Sequence, residues 1–214
     1  MHISEGILPS KILISGYVIT GVTLWYSLRQ LNRQSNPSEG IPQAALLTAA
    51  FFIASGIQIP IPPASVHFVL NGLLGAVLGW YGFPAIIVGL LFQAIMFGHG
   101  GLTTLGINAV IMGIPALIAG FLFHIRHQIK FPLRKSLSLQ LFGFLAGIAG
   151  VGLSALLFFS IVITNLPSTL DQQLEKTAIY GLMFAHIPLI LIEGFFTAMV
   201  VSFLQRVKPE ILIN

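Results

Sequence analysis

Residues Leu137–Ile163 read LSLQLFGFLAGIAGVGLSALLFFSIVI, a long run without a single Asp, Glu, Lys or Arg. A helix needs roughly 20 predominantly apolar residues to cross a bilayer, and this run exceeds that length. The whole chain follows the same pattern, since 56% of its 214 residues are hydrophobic and only 7% are charged. Soluble domains carry about 25% charged residues. The composition therefore predicts an integral membrane protein.

Seven apolar runs separated by turn-forming residues predict an all-α membrane protein, built as one transmembrane domain over residues 1–214. The predicted spans are about Leu8–Leu28, Ala44–Ile59, Val66–Trp80, Pro84–Phe97, Gly106–His124, Leu137–Ile163 and Thr177–Leu204. The GxxxG patterns at Gly75–Gly79 and Gly143–Gly147 indicate close helix packing, or simply reflect the frequency of glycine in membrane helices. The opening residues lack the basic leader of a signal peptide, so we expect the mature protein to keep Met1.

The distribution of basic residues predicts an amino terminus outside the membrane and a carboxyl terminus in the cytoplasm. With seven spans in this orientation, Lys11 and Lys176 are the only two of the ten basic residues that do not fall inside. A basic cytoplasmic loop then follows the fifth span; it contains Arg126, Lys130, Arg134 and Lys135. This loop is a candidate contact for partner proteins or an anchor to anionic lipid headgroups.

Several chemistries are excluded or disfavoured by missing residues. The chain has no cysteine, so any bound metal must be held by nitrogen or oxygen. It contains no Walker A motif, so it does not hydrolyse ATP itself. It also lacks HExxH and a convincing Ser-centred motif, which disfavours an intramembrane enzyme. A haem protein with paired histidines remains an alternative reading.

The six histidines separate by side in this topology. His124 and His127 fall at the cytoplasmic edge, where interfacial positions are expected. The other four, in four separate segments, fall towards the outer face; they are His2, His67, His99 and His186. Ligating residues at membrane depth are candidates for a functional site.

Position 2 favours a particular metal chelate. The Met1 α-amine, the His2 backbone nitrogen and the His2 imidazole can bind one ion through unstrained five- and six-membered rings. These three nitrogens lie in one plane, and one further imidazole completes a square, a geometry typical of Ni²⁺ or Cu²⁺. Tetrahedral Zn²⁺ fits poorly. We expect His67 to supply the fourth nitrogen, because the proline-rich segment before it would fix its position.

Further polar residues are candidates for supporting this site. His99 and His186 either ligate the metal themselves or contact its ligands. In the second case they would orient those ligands or take up the protons that the ligands release on binding metal. Glu193 lies on the same helical face as His186, as a charge partner or as a packing anchor. For Asn71, Gln93 and Asn108 we favour hydrogen bonds between helices over a role in binding.

Four motifs resemble one known family, the substrate-binding M component of energy-coupling-factor (ECF) cobalt and nickel transporters (CbiM/NikM). The motifs are Met1-His2-Ile3 with Glu5-Gly6-Ile7-Leu8-Pro9, His67-Phe-Val-Leu-Asn-Gly72, the stretch from Gln93 to Asn108 that reads QAIMFGHGGLTTLGIN, and His186-Ile-Pro-Leu with Glu193-Gly194. The resemblance extends over nearly the whole chain.

The resemblance implies that a divalent metal is bound by the Met1 amine, the His2 backbone and side-chain nitrogens and the His67 side chain. It implies an ATP-driven importer in a prokaryotic plasma membrane, with the metal as its only ligand and no permanent cofactor. The implied partners are a transmembrane coupling (T) subunit and separate ABC ATPase subunits, with a small accessory membrane subunit as an open alternative. Nickel and cobalt both stay open, and an ECF-type subunit for a vitamin is the alternative within this class.

Overall fold

The computed structural model of the protein describes residues 1–61, 64–128, 135–166 and 172–212. These ranges are mostly helical and include one β-hairpin. The elements are α1 (Ser10–Leu31), α2 (Ile41–Ala54), β1 (Gln58–Ile61), β2 (Ala64–His67), α3 (Asn71–Leu78), α4 (Gly82–Phe97), α5 (Leu105–His124), α6 (Lys135–Thr164) and α7 (Gln172–Val207). Short 3₁₀ turns cover Gly79–Tyr81, Ile125–His127 and Pro209–Leu212.

Five helical segments in the described part of the chain are long and apolar enough to cross a membrane. They are Ser10–Leu31, Asn71–Phe97, Leu105–His127, Ser136–Thr164 and Gln173–Val207, and α2 is a shorter apolar helix. The prediction of a helical, multi-pass membrane protein is therefore confirmed. Length and composition do not decide the count of seven spans or the outward amino terminus, which stay predictions.

The segment Asn71–Phe97 is not one straight helix. Gly82 packs against the backbone of Leu74 and Gly75, so the chain reverses direction between α3 and α4. Gly79 lies at the reversal with a φ of +53°, a conformation that glycine adopts without strain. The two helices therefore run in opposite directions beside each other.

The β-hairpin before α3 corrects two predicted spans. A helix was predicted to begin at Val66, but β2 pairs antiparallel with β1, with Gln58 opposite His67. The predicted second span reached Ile59, whereas α2 ends at Ala54. The physical reason is the proline-rich segment from Pro60, because proline has no N–H to donate and pushes the residue before it towards extended conformations. The eight residues of α3 extend only about 12 Å.

Glycines bring α6 and α7 into close contact. Gly143 lies against the backbone of Ala198 and the side chain of Val201, and Gly147 lies against Gly194. A Cβ atom at either glycine would meet atoms of α7. The packing predicted from the second GxxxG pattern is confirmed.

The short helix α3 occupies the centre of the bundle, and all its residues are buried. Gly75 lies directly against the backbone carbonyl of Ala116 in α5, and Gly72 lies against that of Ala146 in α6. Of the first predicted GxxxG pair, only Gly75 makes such a contact, because a Cβ at Gly79 would meet nothing. This packing fixes where α3 begins, immediately after the hairpin.

Large apolar side chains cover the outside of the bundle. The exposed ones include Val22, Leu46, Phe121, Phe184, Phe195 and Met199, all more than 60% exposed. Contiguous apolar surface of this extent is unusual for a soluble monomer and suits contact with lipid. The polar groups described below lie inside this shell.

Candidate metal site

The amino-terminal segment before α1 is held in the interior by a side-chain amide. The Ile3 N–H donates to Asn108 Oδ1 at 2.9 Å, and Asn108 Nδ2 donates to the Ile3 carbonyl at 3.1 Å. The side chain of Asn108 thereby provides hydrogen-bond partners for both backbone polar groups of Ile3. Gly100, with a φ of +82°, leaves room for this amide, because a Cβ there would meet Asn108 Nδ2. Met1 is 8% exposed as a result.

Glu5 provides a second attachment for the same segment. Its carboxylate accepts hydrogen bonds from the Thr103 backbone N–H and hydroxyl, each at 3.0 Å. These bonds stabilise the charged form and lower the pKa of Glu5. The first five residues are thus held by Thr103, in the loop before α5, and by Asn108, in α5 itself.

His67 lies at the end of β2, next to the amino terminus. Its Nδ1 is 2.9 Å from the Phe68 carbonyl oxygen, which can only accept, so Nδ1 carries the proton. The lone pair is then on Nε2, which lies 3.3 Å from the Met1 nitrogen. Metal-ligating histidines generally donate their other ring N–H in this way.

Gln93 sets the tautomer of His2. His2 Nε2 lies 2.7 Å from Gln93 Oε1, so Nε2 donates and Nδ1 keeps the lone pair. Gln93 Nε2 in turn donates to the Phe51 carbonyl at 3.4 Å, which agrees with this orientation of the amide. Nδ1 is the ring nitrogen that closes the six-membered chelate with the His2 backbone nitrogen.

Burial keeps these nitrogens neutral. Desolvation lowers the pKa of the Met1 α-amino group to about 5, although the charge of Glu193 acts in the opposite direction. It lowers the pKa of His2 well below its usual range, with the neighbouring amino group adding to this shift. At neutral pH the amine and both imidazoles can present lone pairs to a cation.

Glu193 binds the turn that joins β2 to α3. Its carboxylate accepts from the backbone N–H groups of Val69 and Leu70, the latter at 2.8 Å. Leu70 has a φ of +53°, a conformation that is uncommon without glycine. Of the two roles considered for Glu193, these hydrogen bonds fit the packing anchor, because they hold the turn behind His67.

The other predicted polar residues separate into two groups. Asn71 Nδ2 lies within hydrogen-bond distance of the Met112 and Gly150 carbonyls and the Ser154 hydroxyl, which confirms the predicted bonding between helices. Gln93 makes such a bond to the Phe51 carbonyl of α2 and also binds His2, whereas Asn108, for which the same role was favoured, binds the amino-terminal segment instead. Gln93 was already a candidate for supporting the site; the roles of Asn108, Glu5 and Thr103 were missed.

The two remaining outer histidines differ in position. His99 lies beside the site, with its ring centroid 5.4 Å from that of His2 and 5.8 Å from that of His67. His186 is buried and packs edge-on against Phe159, with its Nδ1 2.8 Å from the Leu182 carbonyl. The structure thus brings together three imidazole rings.

Side chains alone do not form a metal cage here. Within the described ranges, no group of three or more His, Cys, Asp and Glu side chains is arranged to hold a metal ion. A site at the amino terminus needs only two imidazoles, since the amine and the His2 backbone supply the other nitrogens. Square-planar nitrogen coordination favours Ni²⁺ or Cu²⁺ among the divalent ions.

The opposite end of α5 contains the predicted basic loop. Arg126 donates to the carbonyls of Phe123 at 2.7 Å and Leu212 at 2.8 Å, and its guanidinium lies 3.7 Å from the Phe123 ring centroid. This arginine therefore ties α5 to the carboxyl-terminal segment. Of the other predicted residues, Lys130 and Arg134 lie outside the described residues, and Lys135 begins α6.

Residues 2–211 match the sequence profile of the CbiM family, described as the cobalt uptake substrate-specific transmembrane region. A putative metal transport protein from Haemophilus influenzae is 37% identical over 213 residues, which cover 99% of this chain and 97% of that protein. A putative fused cobalt transport protein CbiMQ from Methanocorpusculum labreanum is 31% identical over 227 residues, covering all of this chain and 36% of the relative.

A solved structure has a similar fold. The crystal structure of a transition metal transporter superposes with a TM-score of 0.74 at 26% sequence identity, covering 97% of this chain and 93% of that one. The likeness therefore extends over nearly the whole of both chains.

Proposed function

The chain belongs to the CbiM family of substrate-specific transmembrane regions for cobalt uptake, and from that premise we propose that it captures Ni²⁺ or Co²⁺ as the substrate-binding subunit of an ECF-type importer. The observation that carries the proposal is the proximity of Met1 and His67, whose nitrogens lie 3.3 Å apart, beside a His2 ring whose Nδ1 keeps its lone pair. No residues for bond-breaking chemistry are needed for this function.

The metal would be bound by the Met1 amine, the His2 backbone nitrogen, His2 Nδ1 and His67 Nε2. This arrangement requires a free amine and loss of the His2 amide proton, which a strongly polarising ion promotes. The planar nitrogen set favours nickel, whereas the names of the family and of the fused relative favour cobalt. The metal is the transported substrate and not a resident cofactor.

The site would open to the outer face of a prokaryotic plasma membrane. The starts of α1 and α5 and the end of α4 meet at the site, and the basic residues Arg29, Arg33 and Arg126 lie towards the opposite ends of their segments. With these arginines in the cytoplasm, the amino terminus is outside. If α3 and α4 are counted separately and α2 is included, the number of crossing segments is seven. The third of these would be α3 together with the hairpin.

Transport would need partners that supply energy. The family resemblance implies a transmembrane coupling subunit and ABC ATPase subunits, and the fused relative joins a chain like this one to further sequence. Residues of the basic loop, Arg126 to Lys135, would contact these partners at the inner face. ATP would be hydrolysed by the partners alone.

Isothermal titration of the purified protein with NiCl₂ and with CoCl₂ tests the proposal. A Gly-Ser-Gly extension before Met1 removes the amine from the site and should weaken binding by more than about 100-fold, beyond the usual cost of losing a supporting residue. The matched control carries the same extension after Asn214 and should bind as the wild type does. Equal affinity of both extended proteins would contradict the proposed site.

A further inference from the structure

His99 is a third imidazole beside a site that needs only two. The ring centroids of His2, His67 and His99 lie 5.3, 5.4 and 5.8 Å apart, and the His67 and His99 rings are nearly parallel, with an interplanar angle of 9°. The planar chelate described above is complete without His99. Its place in the triangle is therefore not explained by the final coordination of the metal.

The backbone fixes His99 relative to the residue that orients His2. Helix α4 ends with Gly98 in the left-handed region at a φ of +65°, and the backbone N–H groups of Gly98 and His99 both point to the Gln93 carbonyl. This is a Schellman-type helix end. Gln93 binds His2 through its side chain and His99 through its backbone, so the two histidines keep a constant spacing.

The ring of His99 differs from its neighbours in its hydrogen bonding. His2, His67 and His186 each have one ring nitrogen bonded to a protein acceptor. His99 Nδ1 is buried without a hydrogen-bond partner among the described residues. The side chain is also less enclosed than those of His2 and His67 and lies in a loop whose neighbour Gly98 is exposed.

We propose that His99 is the capture ligand, the imidazole that first binds the incoming hydrated ion and passes it to the four nitrogens of the amino-terminal site. The proposal rests on the function proposed above and adds a step to it. Binding to His99 replaces one water on the metal by a ring nitrogen. The Met1 amine and the two other imidazoles then replace further waters, the His2 amide loses its proton to solvent, and His99 leaves.

The proposed role predicts an effect on rates and none on affinity. A ligand that is bound only between the free and the final state lowers the barrier in both directions. Removing it must therefore slow association and dissociation equally and leave the dissociation constant unchanged. A permanent fifth ligand would instead change the affinity and the visible spectrum, because an axial nitrogen alters the electronic state of planar Ni²⁺.

Rapid mixing of the detergent-solubilised full chain with NiCl₂ tests the capture step. The absorption of four-nitrogen Ni²⁺ reports association, and its decay after addition of excess EDTA reports dissociation. His99→Ala removes the ring, and His99→Phe keeps a stacked ring without nitrogen. His127→Ala, which removes a histidine at the far end of α5, is the matched control.

We expect both His99 variants to lower the rate constants of association and dissociation by about tenfold. Their final spectra should equal that of the wild type, and His127→Ala should behave as the wild type does. Unchanged rates in His99→Ala, wild-type rates in His99→Phe, or an altered final spectrum would each overturn the capture step. Failure of the wild type itself to give the four-nitrogen spectrum would overturn the proposed function together with it.

Discussion

Two buried asparagines, Asn108 and Asn71, show how differently the same side chain is used in this molecule. Asn108 holds a peptide without secondary structure, since both of its bonds to Ile3 fix the segment that carries Met1 and His2. Asn71 bonds to the helix carbonyls of Met112 and Gly150 and fixes the packing of α3. A buried amide that binds an irregular segment thus supports the site, whereas one that binds helices supports the bundle.

The comparison extends to the surroundings of each asparagine. We call the contacts of Asn108 with Ile3 and of Glu5 with Thr103 the amino-terminal clamp. We call the packing of α3 against α5 and α6, around Asn71, the helix junction. Changes in the clamp should weaken metal binding first, and changes in the junction should weaken the fold first.

The largest effect is expected from Gly75→Val in the helix junction. The new side chain would meet the Ala116 carbonyl, which is backbone and cannot move aside, so we expect a loss of about 3 kcal/mol of stability, at the upper end of the usual cost of overpacking. Thermal unfolding and the yield of monodisperse protein in detergent measure this loss. Gly21→Val is the matched control, because nothing lies within 4 Å of a Cβ at Gly21. Equal stability of the two variants would contradict the packing of α3.

The next largest effect is expected from Gln93→Leu, which removes the acceptor that orients His2. The ring could then adopt the other tautomer, so the affinity for Ni²⁺ should fall by about 10- to 100-fold. Gln140→Leu, on the exposed face of α6, should keep wild-type affinity in the same titration. An unchanged affinity in Gln93→Leu would show that the tautomer is set in another way.

Asn108→Ala and Asn71→Ala test the comparison directly. Each leaves buried polar groups without a partner, which costs about 1–3 kcal/mol of stability or local order. In Asn108→Ala we expect this cost to appear as a loss of metal affinity of about tenfold or more, because the freed groups belong to the segment proposed to bind the metal. In Asn71→Ala we expect a lower unfolding temperature of the metal-free protein and an affinity close to that of the wild type. A loss of stability alone in Asn108→Ala, with a loss of metal affinity alone in Asn71→Ala, would contradict the division into clamp and junction.

The smallest effect is expected from Glu5→Gln, because this side chain is exposed. The neutral amide is a weaker acceptor for Thr103, so metal affinity should fall slightly. The pKa of Glu5 is lowered in the folded protein, so its contribution to the stability of the metal-free protein is present above the ordinary value of 4.5 and is lost only as the pH falls below it. Unfolding of the wild type and variant compared between pH 3 and pH 7 measures this; a difference that disappears near neutral pH would contradict the bond.

The sequence predicts the long helices well, because apolar runs longer than the bilayer core leave few alternatives. Leu137–Ile163, for example, lies wholly within α6. The hairpin was not predicted, because Val66 and His67 continue an apolar run that also suits a helix, and short runs do not distinguish strand from helix. The eight-residue α3 lies within the predicted third span Val66–Trp80, and only its start was placed too early, because the hairpin occupies the residues before it.

The pairing of His2 with His67 was predicted from chelate chemistry, and the structure places the Met1 nitrogen beside His67. The partner of Gln93 and the role of Asn108 were not predicted. Their partners His2 and Ile3 lie 91 and 105 residues away in the chain, and spacing within one helix carries no information about such contacts. The only signal in the sequence for these contacts was the presence of polar residues, Glu5 and Asn108, in otherwise apolar surroundings.

X-ray absorption spectroscopy of the Ni²⁺-loaded protein tests the central claim most directly. A metal held by the amine, the His2 amide nitrogen and two imidazoles should show four nitrogen neighbours in a square-planar arrangement with no water bound. A six-coordinate ion with oxygen neighbours would contradict the account, because the metal would then not be held by the deprotonated backbone of the amino terminus.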